Sequence, residues 1–182
     1  MAGIGVARGR VGTGKKCLGS RIKSSQIKCS RIKCNRGGGR AGGYSTNRAG
    51  DIAETAFLAR ATEEGLVVAS PYGGGLRYDT IVDNMRRRLL VQVKSTSCLC
   101  RKNVYQVRAA RQKRRGKEAS RTVGYLRGEI DFLAVYVAPE KEWFILPWSA
   151  LRGRTVLTLN SREHGKPGPC GEFREAWGLL RE

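Results

Sequence analysis

The sequence contains a single histidine and no run approaching the ~18 consecutive apolar residues that a membrane helix requires. His164 stands in Glu-His-Gly-Lys-Pro-Gly-Pro, a loop composition, so histidine-based catalysis or metal binding is not expected. The six cysteines lack the paired Cys-x-x-Cys spacing of a structural zinc site. We therefore expect neither membrane association nor a zinc centre.

Acidic residues are absent from the first 48 positions, which hold twelve Lys and Arg. A segment of Gly, Ser, Lys and Arg buries too little apolar surface to offset its chain entropy. We predict that residues 1–46 form a disordered basic arm and that residues 47–182 form one domain. Residues 49–182 hold the remaining 23 basic and 15 acidic residues and carry +8 of the total of +20. This surplus favours a polyanionic partner, with nucleic acid first.

No hydrophobic signal region precedes the cysteines. We expect a cytoplasmic or nucleoid-associated protein, with an organelle transit peptide in the acid-free, serine-containing arm as the alternative.

After the arm, the sequence alternates between helical and strand patterns. Asn47 provides a cap residue, acids follow in the early turns, and apolar residues recur at helical spacing up to Gly65. This pattern predicts a helix over 47–65. Apolar and alternating runs predict strands at 66–70, 76–83, 88–95, 103–108, 130–138, 142–147 and 155–159. A helical turn at 147–151 and a terminal helix at 171–180 complete a mixed α/β domain.

Three polar side chains are expected to meet where two neighbouring strands run side by side. Asp79 lies thirteen residues ahead of Gln92, and Gln92 and Lys94 share one strand face. Hydrolysis of a phosphodiester requires a metal on hard oxygen ligands, an activated water and a positive group near the developing charge. Asp79, the Gln92 amide oxygen and the backbone oxygen of Val93 are the predicted metal ligands. Lys94 is predicted to position water or stabilise the transition state.

Each of these residues also has a structural interpretation. Asp79 could act as a cap or pair with Arg77 or a neighbouring lysine, and Lys94 could be an ordinary strand-end lysine. Glu54, which could add a second carboxylate from the helix, could equally be an exposed helix glutamate. Asp83 is predicted to close a turn, and Asp131 either starts its strand or points at the site.

Basic residues surround these strands. Residues 111–121 hold six cations, which favours phosphate contact over a merely solvated face. The predicted nucleic-acid contacts are Arg77, Arg86, Arg87, Arg88, Ser95, Arg111, Lys113, Arg114, Arg115 and Lys117.

The order of these motifs resembles the PD-(D/E)XK nuclease superfamily. Glu54 lies on a first helix, Asp79 on a second strand, and Gln92-Val-Lys94 followed by Ser-Thr on a third. Arg-Tyr-Asp, Gly128-Glu-Ile-Asp-Phe132 and Trp143-Phe-Ile-Leu-Pro147 are similar to the branch with group I intron homing endonucleases and relatives of archaeal Holliday-junction resolvases. The resemblance runs from about residue 47 to 151.

The resemblance implies a restriction-endonuclease-like core, a central mixed sheet flanked by helices. It also implies that Asp79 binds Mg²⁺ (or Mn²⁺), that Lys94 serves the nucleophilic water, and that Glu54 supports metal or substrate. Gln92 departs from the superfamily, where an acid is usual, and lowers the charge of the site by one. Gln at this position is similar to the homing-endonuclease-like branch.

The sequence therefore predicts a Mg²⁺-dependent DNA endonuclease, homing-endonuclease-like or junction-resolvase-like, acting on duplex or branched DNA. Catalytic Glu54, Asp79, Gln92 and Lys94 carry this prediction. A non-catalytic nucleic-acid-binding protein that retains the nuclease fold is the alternative, and a basic ribosome-associated protein is a third hypothesis. Cutting two strands calls for two active sites, so we expect a homodimer or a larger assembly.

Overall fold

The structure, a computed structural model, describes residues 46–73, 75–115, 118–151 and 153–182. The predicted basic arm lies outside the described residues. The helices are α1 (Thr46–Glu63) and α2 (Trp148–Leu151), with 3₁₀ helices at Arg162–His164, Gly171–Phe173 and Trp177–Leu180. The strands are β1 (Val67–Ala69), β2 (Thr80–Asp83), β3 (Arg88–Thr96), β4 (Leu99–Arg101), β5 (Val104–Arg108), β6 (Arg111–Arg115), β7 (Glu118–Val123), β8 (Phe132–Val137), β9 (Glu142–Pro147) and β10 (Val156–Asn160).

Helix α1 confirms the predicted first helix. Ala53, Phe57 and Ala61 recur every four residues and are almost completely buried, so they form the face that packs on the sheet. The helix ends before Gly65, whose positive φ of 77° suits a residue without a β-carbon. Among the described residues, no helix is long and apolar enough to cross a membrane.

The central sheet has five strands in the order β1-β2-β3-β8-β9. Strands β3 and β8 are parallel and the other neighbours are antiparallel, which gives the predicted mixed sheet. Val91 and Val93 of β3 face the core beneath α1. Gln92 and Lys94 alternate with them and therefore point to the opposite face of the sheet.

A second sheet, in the order β10-β5-β4, covers that opposite face. Its side chains Val107 and Leu159 share a core cluster with Leu133 and Val135 of β8. In the described part of the chain, helix α1 therefore packs on one face of the central sheet and the second sheet packs on the other. Strands β6 and β7 form a separate antiparallel hairpin, and they contain most of the basic stretch at 111–121.

The predicted terminal helix over 171–180 is wrong. Two short 3₁₀ helices flank Glu175, which has a positive φ of 49° and donates its backbone N–H to the Trp143 carbonyl at 2.8 Å. Trp177 is buried against Phe57, with the ring centroids 5.5 Å apart. Packing of one tryptophan and pairing with β9 thus override the helical pattern of this segment.

Candidate functional site

The antiparallel hairpin β2–β3 positions the predicted metal ligands. Thr80 is the partner of Val91, so the preceding residue, Asp79, lies beside Gln92. The Asp79 N–H donates to the Val91 carbonyl at 2.9 Å, which extends the ladder one residue beyond β2. At the other end, Asp83 accepts a bond from the Met85 N–H at 2.9 Å, as expected of a turn residue. The register of one short hairpin therefore fixes the site.

Three of the predicted ligand groups converge on one point. Asp79 Oδ2 accepts a hydrogen bond from the Val93 N–H at 2.9 Å and another from Gln92 Nε2. Gln92 Nε2 also donates to the Val93 carbonyl, at 3.3 Å. Gln92 is buried, and the amide nitrogen thus lies between two oxygens. A group that bridges two oxygens in this way stands where a cation would be held.

The donor set fits a hard divalent cation. Rotation of the Gln92 amide would present its oxygen beside Asp79 Oδ2 and the Val93 carbonyl, and Mg²⁺ prefers such oxygens. Among the described residues, no group of three or more His, Cys, Asp or Glu side chains is arranged to hold a metal. A cation here would consequently depend on neutral oxygens as well as on Asp79.

Lys94 and Glu54 share the electrostatic environment of Asp79. Burial raises the pKa of Asp79, while the hydrogen bond from Val93 and the charge of Lys94 oppose this rise. Burial also raises the pKa of Glu54, followed by the charges of Asp79 and Asp51, and Lys94 again acts in the opposite direction. Lys94 therefore favours the ionised form of both carboxyl groups.

Two cavities flank Lys94. One, of about 450 Å³, is lined by Arg77, Gln92, Lys94, Arg108, Arg111 and Tyr125, among others. The other, of about 690 Å³, is lined by Glu54, Lys94, Ser95 and Arg108 together with apolar and small polar residues. Four cations and no carboxylate line the first cavity, which we call the basic cavity. Such a wall favours an anionic occupant.

Glu129 forms ion pairs with two cations of the basic cavity, Arg111 and Arg77. Arg111 Nη2 lies 2.7 Å from Glu129 Oε1, and Arg111 Nε donates to Oε2 at 3.1 Å. Glu129 also accepts the Leu126 N–H at 2.8 Å, and Arg77 Nε lies 3.9 Å from it. Burial raises the pKa of Glu129, but the bonds from Leu126 and Arg111 outweigh it, so the net pKa is lowered. The guanidinium of Arg111 is thus oriented before any ligand binds.

Tyr125 is a buried residue of the same cavity. Burial and the charges of Asp79 and Glu129 raise its pKa to about 12. The phenol therefore stays protonated and neutral at physiological pH.

The other predicted nucleic-acid contacts lie in several places. Ser95 lines the larger cavity and donates to the Ala49 carbonyl at 3.4 Å. Arg86 and Arg87 are exposed on the turn of the β2–β3 hairpin, and Arg88 begins β3 with its Nε 3.5 Å from an oxygen of Asp83. These three arginines lie at the far end of the hairpin from Asp79 and outside the linings of both cavities.

The remaining predictions fall on β6 and β8. The backbone of Lys113, Arg114 and Arg115 belongs to β6. Lys117 lies outside the described residues. Asp131 has the structural role, because its Oδ2 accepts the Leu90 N–H at 2.8 Å.

Sequence reasoning missed Arg108, Tyr125 and Glu129. Arg108 lines both cavities and ends strand β5, where alternation places it on the same face as Gln106. That alternation was a usable signal for Arg108. Arg111 lies in β6 and Glu129 in the turn before β8, so no local pattern indicated their pairing.

Without metal, Asp79 and Glu54 are expected to contribute less stability as the pH rises from about 4, whereas Glu129, whose pKa is lowered, contributes more. Asp79 and Glu54 have raised pKa values, so the folded protein retains protons that the unfolded chain releases. Their stabilising contribution is complete below the unfolded pKa values and is lost as the pH rises through the folded ones. Urea midpoints measured in chelator across this range should fall in wild type relative to those of Asp79→Asn. The same slope in that variant would show that other groups set it.

The chain is similar to known proteins in sequence and in fold. A family model described as PD-(D/E)XK endonuclease matches residues 44–177. Among solved structures, the bacterial homing endonuclease I-Ssp6803I is similar at 30% identity and a TM-score of 0.65, over 76% of this chain and 94% of that chain. The Holliday junction resolvase Hjc of Archaeoglobus fulgidus shares 14% identity over 62% of this chain and 84% of that one, with a TM-score of 0.39. No curated protein matches the chain.

Proposed function

Because the chain belongs to the PD-(D/E)XK endonuclease family, we propose that it is a divalent-metal-dependent endonuclease that hydrolyses phosphodiester bonds in DNA. The convergence of Asp79 Oδ2, the Gln92 amide and the Val93 carbonyl on one point carries this proposal. Lys94 and the basic cavity lie next to this point and supply the positive charge that hydrolysis of a phosphodiester requires.

Asp79, the Val93 carbonyl and the Gln92 amide oxygen would hold Mg²⁺ or Mn²⁺. The ion would supply Lewis-acid stabilisation of the phosphate and a more acidic water. Lys94 orients the attacking water and offsets the charge that develops on the phosphate oxygens. Glu54 adds a second carboxylate from helix α1. The neutral Gln92 leaves the ligand set one charge short of the usual pair of acids, so weaker metal binding is expected.

The four cations of the basic cavity bind the phosphates on one side of the cleaved bond. Arg111 is held by Glu129, so little side-chain entropy is lost when it contacts a phosphate. Similarity to a bacterial homing endonuclease at 30% identity favours duplex DNA over branched DNA. Cutting both strands requires two active sites, and we propose that a homodimer or a larger assembly provides them.

Cleavage of supercoiled and branched DNA tests the proposal directly. Purified protein is expected to nick or linearise DNA in Mg²⁺ or Mn²⁺ and to leave it intact in chelator, because the ligand oxygens alone do not activate water. A supercoiled plasmid and a synthetic four-way junction should be used side by side, each with and without metal. If neither substrate is cut above the chelator control, the endonuclease proposal fails.

One observation favours a second function, a non-catalytic nucleic-acid-binding protein. Among the residues that the structure describes, the site lacks a cluster of three potential anionic or histidine ligands. This function predicts tight binding that weakens steeply with salt and does not respond to Mg²⁺. Filter binding across a salt series, with and without Mg²⁺, separates the two functions when it is read beside the cleavage assay.

A further inference from the structure

The hairpin β6–β7 begins at the wall of the basic cavity. Arg111 and Gln112, the first two residues of β6, both line this cavity together with Gln92 and Lys94. The hairpin is therefore continuous with the candidate active site. If a phosphate of a bound nucleic acid lies at Lys94, the part of the nucleic acid next to that phosphate lies beside the hairpin.

Two cross-strand pairs at the base of the hairpin have different roles. Arg111 pairs with Val123, and its guanidinium is tied to Glu129. The next pair, Gln112 and Thr122, is exposed on both strands, and Gln112 Nε2 donates to Thr122 Oγ1 at 3.2 Å. The first pair anchors the hairpin to the domain. The second pair presents an amide whose orientation is held by a hydroxyl on the neighbouring strand.

The charge and width of the hairpin fit one kind of partner. Residues 111–123 contain six Lys and Arg and a single acid, Glu118, in keeping with a polyanion. Two strands about 4.8 Å apart form a ribbon that the major groove of B-DNA, about 12 Å wide, admits. The major groove of A-form RNA is too narrow and deep for side chains to read.

We propose that β6 and β7 enter the major groove of duplex DNA beside the cleaved phosphate, where the Gln112–Thr122 pair reads a base. An amide can contact the N6 and N7 edge of adenine with two hydrogen bonds, so an A·T pair is the expected target. Arg111 contacts phosphate and sets the register of the hairpin. The inference rests on the proposed function only in taking DNA as the substrate.

Selection of duplexes from a randomised library tests this role. The full chain is incubated in chelator, so that nothing is cleaved, and bound duplexes are sequenced for wild type and for Gln112→Ala. Wild type is expected to enrich a motif, and Gln112→Ala should enrich the same motif with one or two adjacent positions randomised. Affinity for the best duplex should fall about 5- to 150-fold. Affinity for unrelated DNA should stay within about twofold, because no charge is removed.

Matched variants keep the test independent of folding. Thr122→Ala should blur the same positions to a smaller degree, whereas Thr62→Ala, an exposed threonine on α1, should leave the motif unchanged. Circular dichroism and the thermal midpoint of each variant report on folding.

Several results overturn the inference. It fails if wild type enriches no motif, or if Gln112→Ala enriches the same motif as wild type. It also fails if duplex RNA competes for binding as well as the selected DNA does. Cleavage is measured separately in Mg²⁺. If the selected motif depends on Gln112 but no DNA is cleaved, only the endonuclease proposal fails. If DNA is cleaved but the selected motif does not depend on Gln112, only the proposed role of the hairpin fails.

Discussion

Replacement of Asp79 by asparagine is expected to reduce DNA cleavage by on the order of 10³-fold or more, because the one carboxylate at the convergence point loses its charge. Asparagine has nearly the same shape, and its side-chain oxygen can still accept the Val93 N–H. Binding of DNA in chelator should be equal or tighter, since a negative charge near the phosphates is removed. Single-turnover cleavage and filter binding measure the two effects.

The stability of Asp79→Asn separates a catalytic role from a structural one. Burial raises the pKa of Asp79, so its ionised form is disfavoured in the folded protein. The metal-free variant should therefore have a thermal midpoint at neutral pH equal to or above that of wild type. Asp83→Asn is the matched control, because Asp83 closes a turn and lies at the other end of the hairpin. Cleavage by Asp79→Asn within tenfold of wild type would remove Asp79 from the catalytic site.

Replacement of Lys94 by alanine is expected to reduce cleavage about 10²- to 10³-fold while Mg²⁺ binding persists. Lys94 opposes the raised pKa of both Asp79 and Glu54, so its loss should shift the acid limb of the pH–rate profile to higher pH. Loss of a nearby positive charge should also leave Mg²⁺ affinity unchanged or increased. Single-turnover rates across pH and calorimetry with Mg²⁺ provide the two measurements.

Lys102→Ala is the control for the loss of one surface charge, because Lys102 is exposed between β4 and β5. It should change cleavage by no more than about twofold, through weaker general attraction to DNA. If Lys94→Ala behaves like this control, Lys94 is an ordinary strand-end lysine.

The fold of the central sheet was predictable because local patterns and tertiary packing agree there. Gln92 and Lys94 alternate with buried valines, and that period of two fixes which face each residue occupies. Helix α1 was predictable for the same reason, since Ala53, Phe57 and Ala61 repeat at helical spacing and are buried. The approach of Asp79 to Gln92 follows from the register of a hairpin with a short turn.

Features that depend on distant partners were not predictable. The C-terminal segment has a helical pattern, but Trp177 fills a space beside Phe57, and Glu175 pairs with β9. No local sequence pattern indicated that β5 and β10 cover one face of the central sheet, because these two paired strands are about 50 residues apart in the sequence. The basic cavity depends on the same pairing, since Arg108 ends β5.

The order in which the two halves of the site form follows from their separation along the chain. Asp79 and Gln92 are brought together by a hairpin whose strands are joined by a turn of four residues, so the loop-closure entropy is small. The Arg111–Glu129 pair closes a longer loop, and Arg108 needs the distant strand β10 to complete its sheet. The β2–β3 hairpin, with Asp79 beside Gln92, should therefore form early in folding, and the basic cavity should form later through separate contacts. If the proposed function is right, substitutions at Arg108 or Arg111 should alter DNA binding while leaving the β2–β3 hairpin intact.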